Sequence, residues 1–235
     1  MKKYLLVLFP VVILCFNACK KDAVDYTGYT PSDNFNSNPT VNNPNSSAND
    51  SYLPTTTGSS WTYQSDVTGL TESAEAHITG VITPLNGQNY YELKSSTAGK
   101  EDVVQYYYVK DKKYKIIATT VQEKVTVEFF ILDDNLPVGG EWTARMSPNG
   151  LVNDVPARTK NKIIETGITK TVLGKTYKNV IHTHTIVQYD FGLGDGFQDF
   201  GDYDYYLAKG VGLIQTDANL LGFKSTSYLT KYTIK

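Results

Sequence analysis

The sequence predicts an all-β fold, an antiparallel sandwich or a strongly curved, partly closed barrel, and three observations carry that expectation. From Tyr52 onward apolar and polar residues alternate with period two, and few long stretches carry helical spacing. Asn86-Gly87 lies between two such runs, and this dipeptide suits a type I′ hairpin turn, whose central residues both need positive φ. In Val125 to Leu132, Val125, Val127, Phe129 and Ile131 fall on one face while Thr126 and Glu128 fall on the other.

Before the strands comes an N-terminal segment of different character. Lys2 and Lys3 give a positive start, and Tyr4 to Phe16 is an apolar run interrupted only by Pro10. The run is shorter than the roughly 20 apolar residues needed to span a bilayer, but it suits a signal peptide over residues 1 to 18. Phe16-Asn17-Ala18-Cys19 resembles the bacterial lipobox, in which the cysteine takes a thioether-linked diacylglycerol and cleavage precedes it. Only a thiolate is nucleophilic enough near neutral pH for that link, and Cys15 follows the bulky Leu14, so Cys19 is the expected lipidation site. Phe16 replaces the usual Leu, and Asn17 is larger than the usual neighbour.

Cleavage there removes Lys2, Lys3 and Cys15, which takes the formal net charge from −2 to −4 and leaves one thiol, itself acylated. No intramolecular disulfide is then possible, and stability must come from a hydrophobic core. A mildly acidic surface argues against nucleic acid as a partner. The next segment, to Ser51, is crowded with Asn, Ser, Thr, Pro and Asp and is too poor in large apolar residues to offset its conformational entropy. Residues 19 to 51 are therefore expected to be a lipidated cysteine with a disordered tether, whose reach is on the order of 30 Å. Residues 52 to 235 are expected to form the all-β domain.

Within that domain the Leu85-to-Gln88 turn joins Ala76–Thr83 to Tyr90–Leu93, and Asp111-Lys112-Lys113 joins Val103–Lys110 to Tyr114–Val121. Further strands are expected over Asn161–Thr166, Tyr177–Tyr189, Tyr203–Ala208, Gly212–Thr216 and Gly222–Lys235. Leu53-Pro54 to Trp61-Thr62 recurs in shortened form as Leu136-Pro137 to Trp142-Thr143. Each turn delivers a tryptophan to a strand start, where its ring can pack on the sheet while its N–H finds a partner near the rim.

Pro54 to Tyr63 reads Pro-x-x-x-Gly-x-x-Trp-x-Tyr, Gly174 to Ile181 reads Gly-x-x-aromatic-x-Asn-Val-Ile, and Gly210-Val211-Gly212-Leu213 follows Tyr205 to Lys209. In their order and spacing these segments resemble a family of uncharacterised lipid-anchored envelope proteins of Bacteroidota. Lys20-Lys21-Asp22 resembles the lysine-plus-acid surface-export signal of that group, with Ala23 in place of a second acid. The resemblance implies an outer-membrane location, with cell-surface exposure as an option, and no assigned activity.

Two patterns bear on chemistry. His182 and His184, two apart in a strand, point to one face, and His77 is the only other histidine that a shared metal could recruit. They are read as half-exposed polar strand positions, and no metal ligand is assigned. Asp190 to Asp204 holds five carboxylates and is read as an acidic, solvated loop, since its spacing misses the EF-hand order. No hydrolase elbow, surviving cysteine nucleophile, zinc-protease motif or phosphate loop occurs, so no catalytic residue and no cofactor are expected. Carboxylate pairs for glycoside cleavage are recognised by geometry, with two buried carboxyls in a cleft as the discriminating observation. The expected role is a non-catalytic binding or structural one. The expected partners are the membrane, through lipid on Cys19, and a glycan or another envelope protein. A glycan-binding accessory module is the second reading, resting on the 18 tyrosines, and a glycan or ester hydrolase is the third.

Overall fold

A computed structural model describes residues 50–67, 69–85, 87–119 and 126–235. The expected signal peptide, Cys19 and nearly all of the expected tether, with Asn86, Val121 and Val125, lie outside the described residues. Thirteen strands follow one another: β1 (Ser60–Val67), β2 (Leu70–Leu85), β3 (Gln88–Thr97), β4 (Val103–Lys110), β5 (Lys113–Thr119), β6 (Thr126–Asp133) and β7 (Glu141–Arg145). After these come β8 (Leu151–Val152), β9 (Val155–Val172), β10 (Lys175–Tyr189), β11 (Gln198–Ala208), β12 (Gly212–Leu220) and β13 (Phe223–Thr233).

All pairings are antiparallel, in the order β6-β5-β4-β3-β2-β1-β13-β12-β11-β10-β9-β7, with β8 added to β9. The expected all-β antiparallel class is therefore the observed one. Every join in the path except two is a meander step between consecutive strands; β1 pairs with β13, and β7 pairs with β9. Such local pairing follows from tight turns. Leu85 faces Gln88 across the first hairpin, and Gly87 there has φ 72°. Lys110 faces Lys113 across the second, with Asp111 at φ 50° and Lys112 at φ 59°, the doubly positive pattern of a type I′ turn.

The sheet curls until its two ends meet. β6 and β7 are joined not by a full ladder but by a few bonds: Glu128 N–H donates to the Met146 carbonyl at 2.8 Å, and the Trp142 indole Nε1 donates to the Phe130 carbonyl at 3.1 Å. A third bond crosses the interior, from the buried Thr183 hydroxyl on β10 to the Ile131 carbonyl on β6, at 2.9 Å. Nearly closing the sheet this way satisfies part of the β6 edge, which would otherwise expose a row of unpaired backbone groups.

Inside, one face of the long strands contributes to a single core. Trp61, Tyr63, Ile78, Leu93, Tyr107, Ile116, Phe129, Ile131, Ile163, Ile181, Tyr203, Tyr205, Leu207, Ile214 and Leu229 all belong to it. Phe129 and Tyr203 meet edge to face, with ring centroids 5.5 Å apart, across the interior between β6 and β11. Each fully buried aliphatic residue of this set contributes about 1.5–3 kcal/mol, and the described residues, which include no cysteine, are held by this core. A smaller cluster of Tyr90, Tyr108 and Ile117 lies on β3, β4 and β5, with Leu85 and Tyr106 packed against it. There the Tyr90 hydroxyl donates to Glu128 at 2.7 Å, and Lys115 pairs with the same carboxylate at 2.9 Å.

The chain enters this barrel at the end where β11 turns into β12. Ser51, Tyr52 and Leu53 are buried, and Gly210 N–H donates to the Ser51 carbonyl at 2.8 Å. Tyr52 packs edge to face on Tyr114, with centroids 5.9 Å apart.

Both tryptophans behave as the repeated turn-and-Trp segments imply. Trp61 is buried in β1 with its Nε1 bonded to the Val211 carbonyl, and Trp142 sits in β7, bonded to Phe130. The Gly-x-x-aromatic-x-Asn-Val-Ile segment is explained by backbone shape. Leu173 and Gly174 form the positive-φ turn before β10, and Asn179, at φ 52°, lies at an irregularity in the β9–β10 register.

Candidate functional site

Period-two geometry sorts β10, β11 and β12 into two faces. Ile181, Thr183 and Thr185 of β10 and Tyr203, Tyr205 and Leu207 of β11 point into the barrel, which leaves His182, His184, Asp202, Asp204 and Tyr206 on the outer face. The register then aligns them. His182 stands opposite Tyr206, and His184 stands opposite Asp204. On the other side of β11, Asp202 faces Asn219, Asp204 faces Asp217 and Tyr206 faces Gln215.

Asp204 is the hub. Its Oδ1 lies 2.8 Å from His182 Nε2 and 3.1 Å from His184 Nδ1, and His182 Nδ1 lies 3.4 Å from Glu165 on β9. Burial works to raise the Asp204 carboxyl, but the hydrogen bonds from both imidazoles, with their charge, outweigh it and hold this group well below the usual carboxylate range. The hydrogen bond to Asp204 raises His184 above its ordinary value, against a smaller opposing effect of burial. Side-chain exposures of 12% for His182, 32% for His184 and 30% for Asp204 leave the group reachable from solvent, with His182 the most enclosed.

Around this hub the other outer-face groups are also occupied. The Tyr206 ring is stacked on His182 at 4.3 Å between centroids and carries Lys170 Nζ 3.5 Å from its centre. Burial, with the nearby Asp204, Asp217 and Glu165 charges, pushes the Tyr206 hydroxyl up to about 12. Asn219 Nδ2 donates to Asp202 at 3.2 Å, while Asn219 Oδ1 is buried without a hydrogen-bond partner. Asp217 accepts two bonds from Gln215 Nε2, at 2.8 and 3.0 Å.

His182 and His184 thus share a face as their spacing requires. His77 does not join them; it is exposed on β2, opposite Ser60 and Lys94, several strands away along the sheet. The acidic stretch needs a correction. Only Asp190 and Asp195 lie in the loop between β10 and β11, whereas Asp199, Asp202 and Asp204 belong to β11 itself. Alternation of Tyr203, Tyr205 and Leu207 with the acids was the signal for this, because a strand that sends large apolar rings inward must send its intervening residues outward. In the loop, Asp190 Oδ1 accepts the Gly192 N–H at 2.9 Å, and the Asp195 backbone carbonyl accepts Gln198 Nε2 at 2.9 Å.

Two observations bear on the remaining readings. Every described tyrosine is buried or half-buried. No aspartate or glutamate among the described residues is buried.

The molecule thus defined is a nearly closed antiparallel β-barrel with a histidine–carboxylate cluster on its outer face. No protein-family profile matches the chain, and no curated protein matches it. Among solved structures, a lipoprotein candidate from Parabacteroides distasonis ATCC 8503 is similar at 12% identity and a TM-score of 0.48, covering 78% of this chain and 99% of that one. An exported-protein candidate with a YmcC-like fold, from Bacteroides fragilis NCTC 9343, is similar at 9% identity and a TM-score of 0.48, over the same shares of the two chains.

Proposed function

We propose that this protein is a lipid-anchored component of the bacterial outer membrane, tethered through acylated Cys19, whose β-barrel domain serves a non-catalytic binding or structural role. The observation that carries the reading is the lipobox-like Phe16-Asn17-Ala18-Cys19 closing a short apolar leader, followed by a polar segment that ends where Ser51 becomes buried at one end of the barrel. Two or more acyl chains give stable anchoring, where one would hold the protein only marginally. A tether reaching about 30 Å leaves the barrel clear of the lipid surface, and the surface-export-like Lys20-Lys21-Asp22 favours an outward-facing orientation.

The non-catalytic part of the reading is supported by the use of the polar groups. The hydrogen bonds of His182 and His184 run to carboxylates, not to a hydroxyl that an imidazole would activate as a nucleophile. A glycosidase-like pair would need one carboxyl kept protonated by burial, and Asp204, the most perturbed carboxyl of the cluster, is shifted the opposite way.

Expression in a bacterium with a lipoprotein pathway, with radiolabelled palmitate and mass spectrometry of the N-terminal peptide, tests the anchor. The expected result is an acylated peptide starting at Cys19 and a protein that sediments with the outer membrane, with Cys19→Ala unlabelled. An unmodified Cys19, or an intact leader on the native protein, would overturn the proposal.

A further inference from the structure

The geometry points to a divalent transition-metal site of the zinc class on the outer face of the barrel, with His184 Nδ1 and the carboxylates of Asp202 and Asp204 as its protein ligands. This inference goes beyond the anchoring role and does not depend on Cys19.

One ligand atom from each of these three residues lies within 4.8 Å of the other two. Ligands bound at 2.0–2.2 Å in a tetrahedral shell stand about 3.4 Å apart, so His184 and Asp204, at 3.1 Å, are already spaced as partners on one ion. Asp202, half-exposed, supplies the third corner, its ligand atom within 4.8 Å of the other two. The strands supply rigidity: His184 and Asp204 are cross-strand neighbours, and Asp202 is two residues from Asp204 on the same face.

Two further features favour a cation here. Asn219, bonded through Nδ2 to Asp202, holds a buried Oδ1 with no partner, an oxygen donor beside the proposed ligand set. His182, enclosed and bonded through Nε2 to Asp204, is placed to orient that carboxylate as outer groups orient metal ligands. Imidazole nitrogen with two carboxylates suits zinc and its neighbours better than calcium, which takes oxygen ligands. Solvent completes the shell.

The test uses the full chain, solubilised in detergent, free of any polyhistidine tag and stripped with a chelator, then titrated with Zn²⁺ by calorimetry and with Co²⁺ by visible absorption. One Zn²⁺ per chain is expected, with a Co²⁺ spectrum of low coordination number. His184→Ala and Asp202→Asn are each expected to weaken binding at least tenfold, while His77→Ala leaves it unchanged. Circular dichroism of each variant separates loss of ligand from loss of fold, and Asp202→Asn keeps side-chain volume if His184→Ala proves unstable. No binding to the wild-type chain, or binding that survives both ligand substitutions, overturns the site.

Discussion

Trp61 on β1 donates its indole N–H to the Val211 carbonyl in the β11–β12 turn at 2.6 Å, across 150 residues of sequence, and so ties the first strand to that late turn. Gly212, at φ 109°, lets that turn come so close; a Cβ there would stand 3.2 Å from Trp61 Nε1. The glycine of the Gly-Val-Gly-Leu segment and the tryptophan of the Pro-x-x-x-Gly-x-x-Trp-x-Tyr segment are therefore two halves of one contact.

Trp61→Phe keeps a ring in the core but strips the donor from the Val211 carbonyl, which is expected to cost about 1–3 kcal/mol. Gly212→Ala is expected to cost a similar amount by a different route, since alanine must adopt a positive φ and press on the indole. Thermal melts should show both, at about 2–4 °C per kcal/mol for a domain of this size. An unchanged melting temperature in Gly212→Ala would contradict the contact.

The side-chain bonds at the β6 seam carry a local prediction. Thr183→Val is nearly isosteric but leaves the Ile131 carbonyl without its buried donor, and the expected cost is about 1–3 kcal/mol. Because β6 ends the sheet path, loss of this bond should open that strand before the rest. Hydrogen exchange is expected to quicken at Val127 to Leu132 more than along β12, and uniform quickening would argue against a distinct seam.

Much of this architecture was legible in the sequence, and the limits of that reading have physical causes. Val127, Phe129 and Ile131 alternate because β6 has one face in the core, and the pattern alone gives the strand. β9 runs from Val155 to Val172, yet the sequence marks only Asn161 to Thr166. Its outer half, near Gly167 to Thr171, is mostly exposed and has little core to face, so apolar alternation fades although the backbone pairing with β10 continues. The pairing of His182 with His184 followed from spacing alone. The place of Asp204 beside His184 did not: Tyr203 to Ala208 reads as a strand, but the register that sets Asp204 against His184 is a property of two strands together.

The β4–β5 hairpin offers a stabilising change. Lys112 sits at φ 59°, a left-handed conformation that costs a side chain with a Cβ about 1–2 kcal/mol, whereas glycine adopts it freely at some loss of unfolded-chain entropy. Its backbone carbonyl, which accepts the Asp134 N–H at 2.9 Å, is retained in Lys112→Gly. The net expectation is a gain of about 0.5–1 kcal/mol, measured by urea unfolding at constant m-value. A loss of stability would mean that the lysine side chain matters more than its backbone angle.

Buried tyrosines set the alkaline limit. Burial raises the hydroxyls of Tyr63, Tyr107 and Tyr205 above the ordinary tyrosine value of 10.0, for Tyr63 and Tyr205 by a wide margin. A folded-state value above the unfolded one means that their contribution is complete below about pH 10 and is lost as pH rises toward the folded values, because only the unfolded chain releases those protons. Each such group removes about 1.4 kcal/mol per pH unit, so three together remove about 4 kcal/mol per unit, enough to unfold an ordinary domain near pH 12. Tyrosinate absorbance of these three buried rings should therefore rise in one step that coincides with the loss of sheet circular dichroism. Tyr205 adds a sharper check, because its hydroxyl is buried without a hydrogen-bond partner. Tyr205→Phe is expected to stabilise the protein at neutral pH by about 1 kcal/mol and to lower the alkaline slope by about a third. A single smooth titration centred near pH 10, with the sheet intact throughout, would show that these rings are open to water.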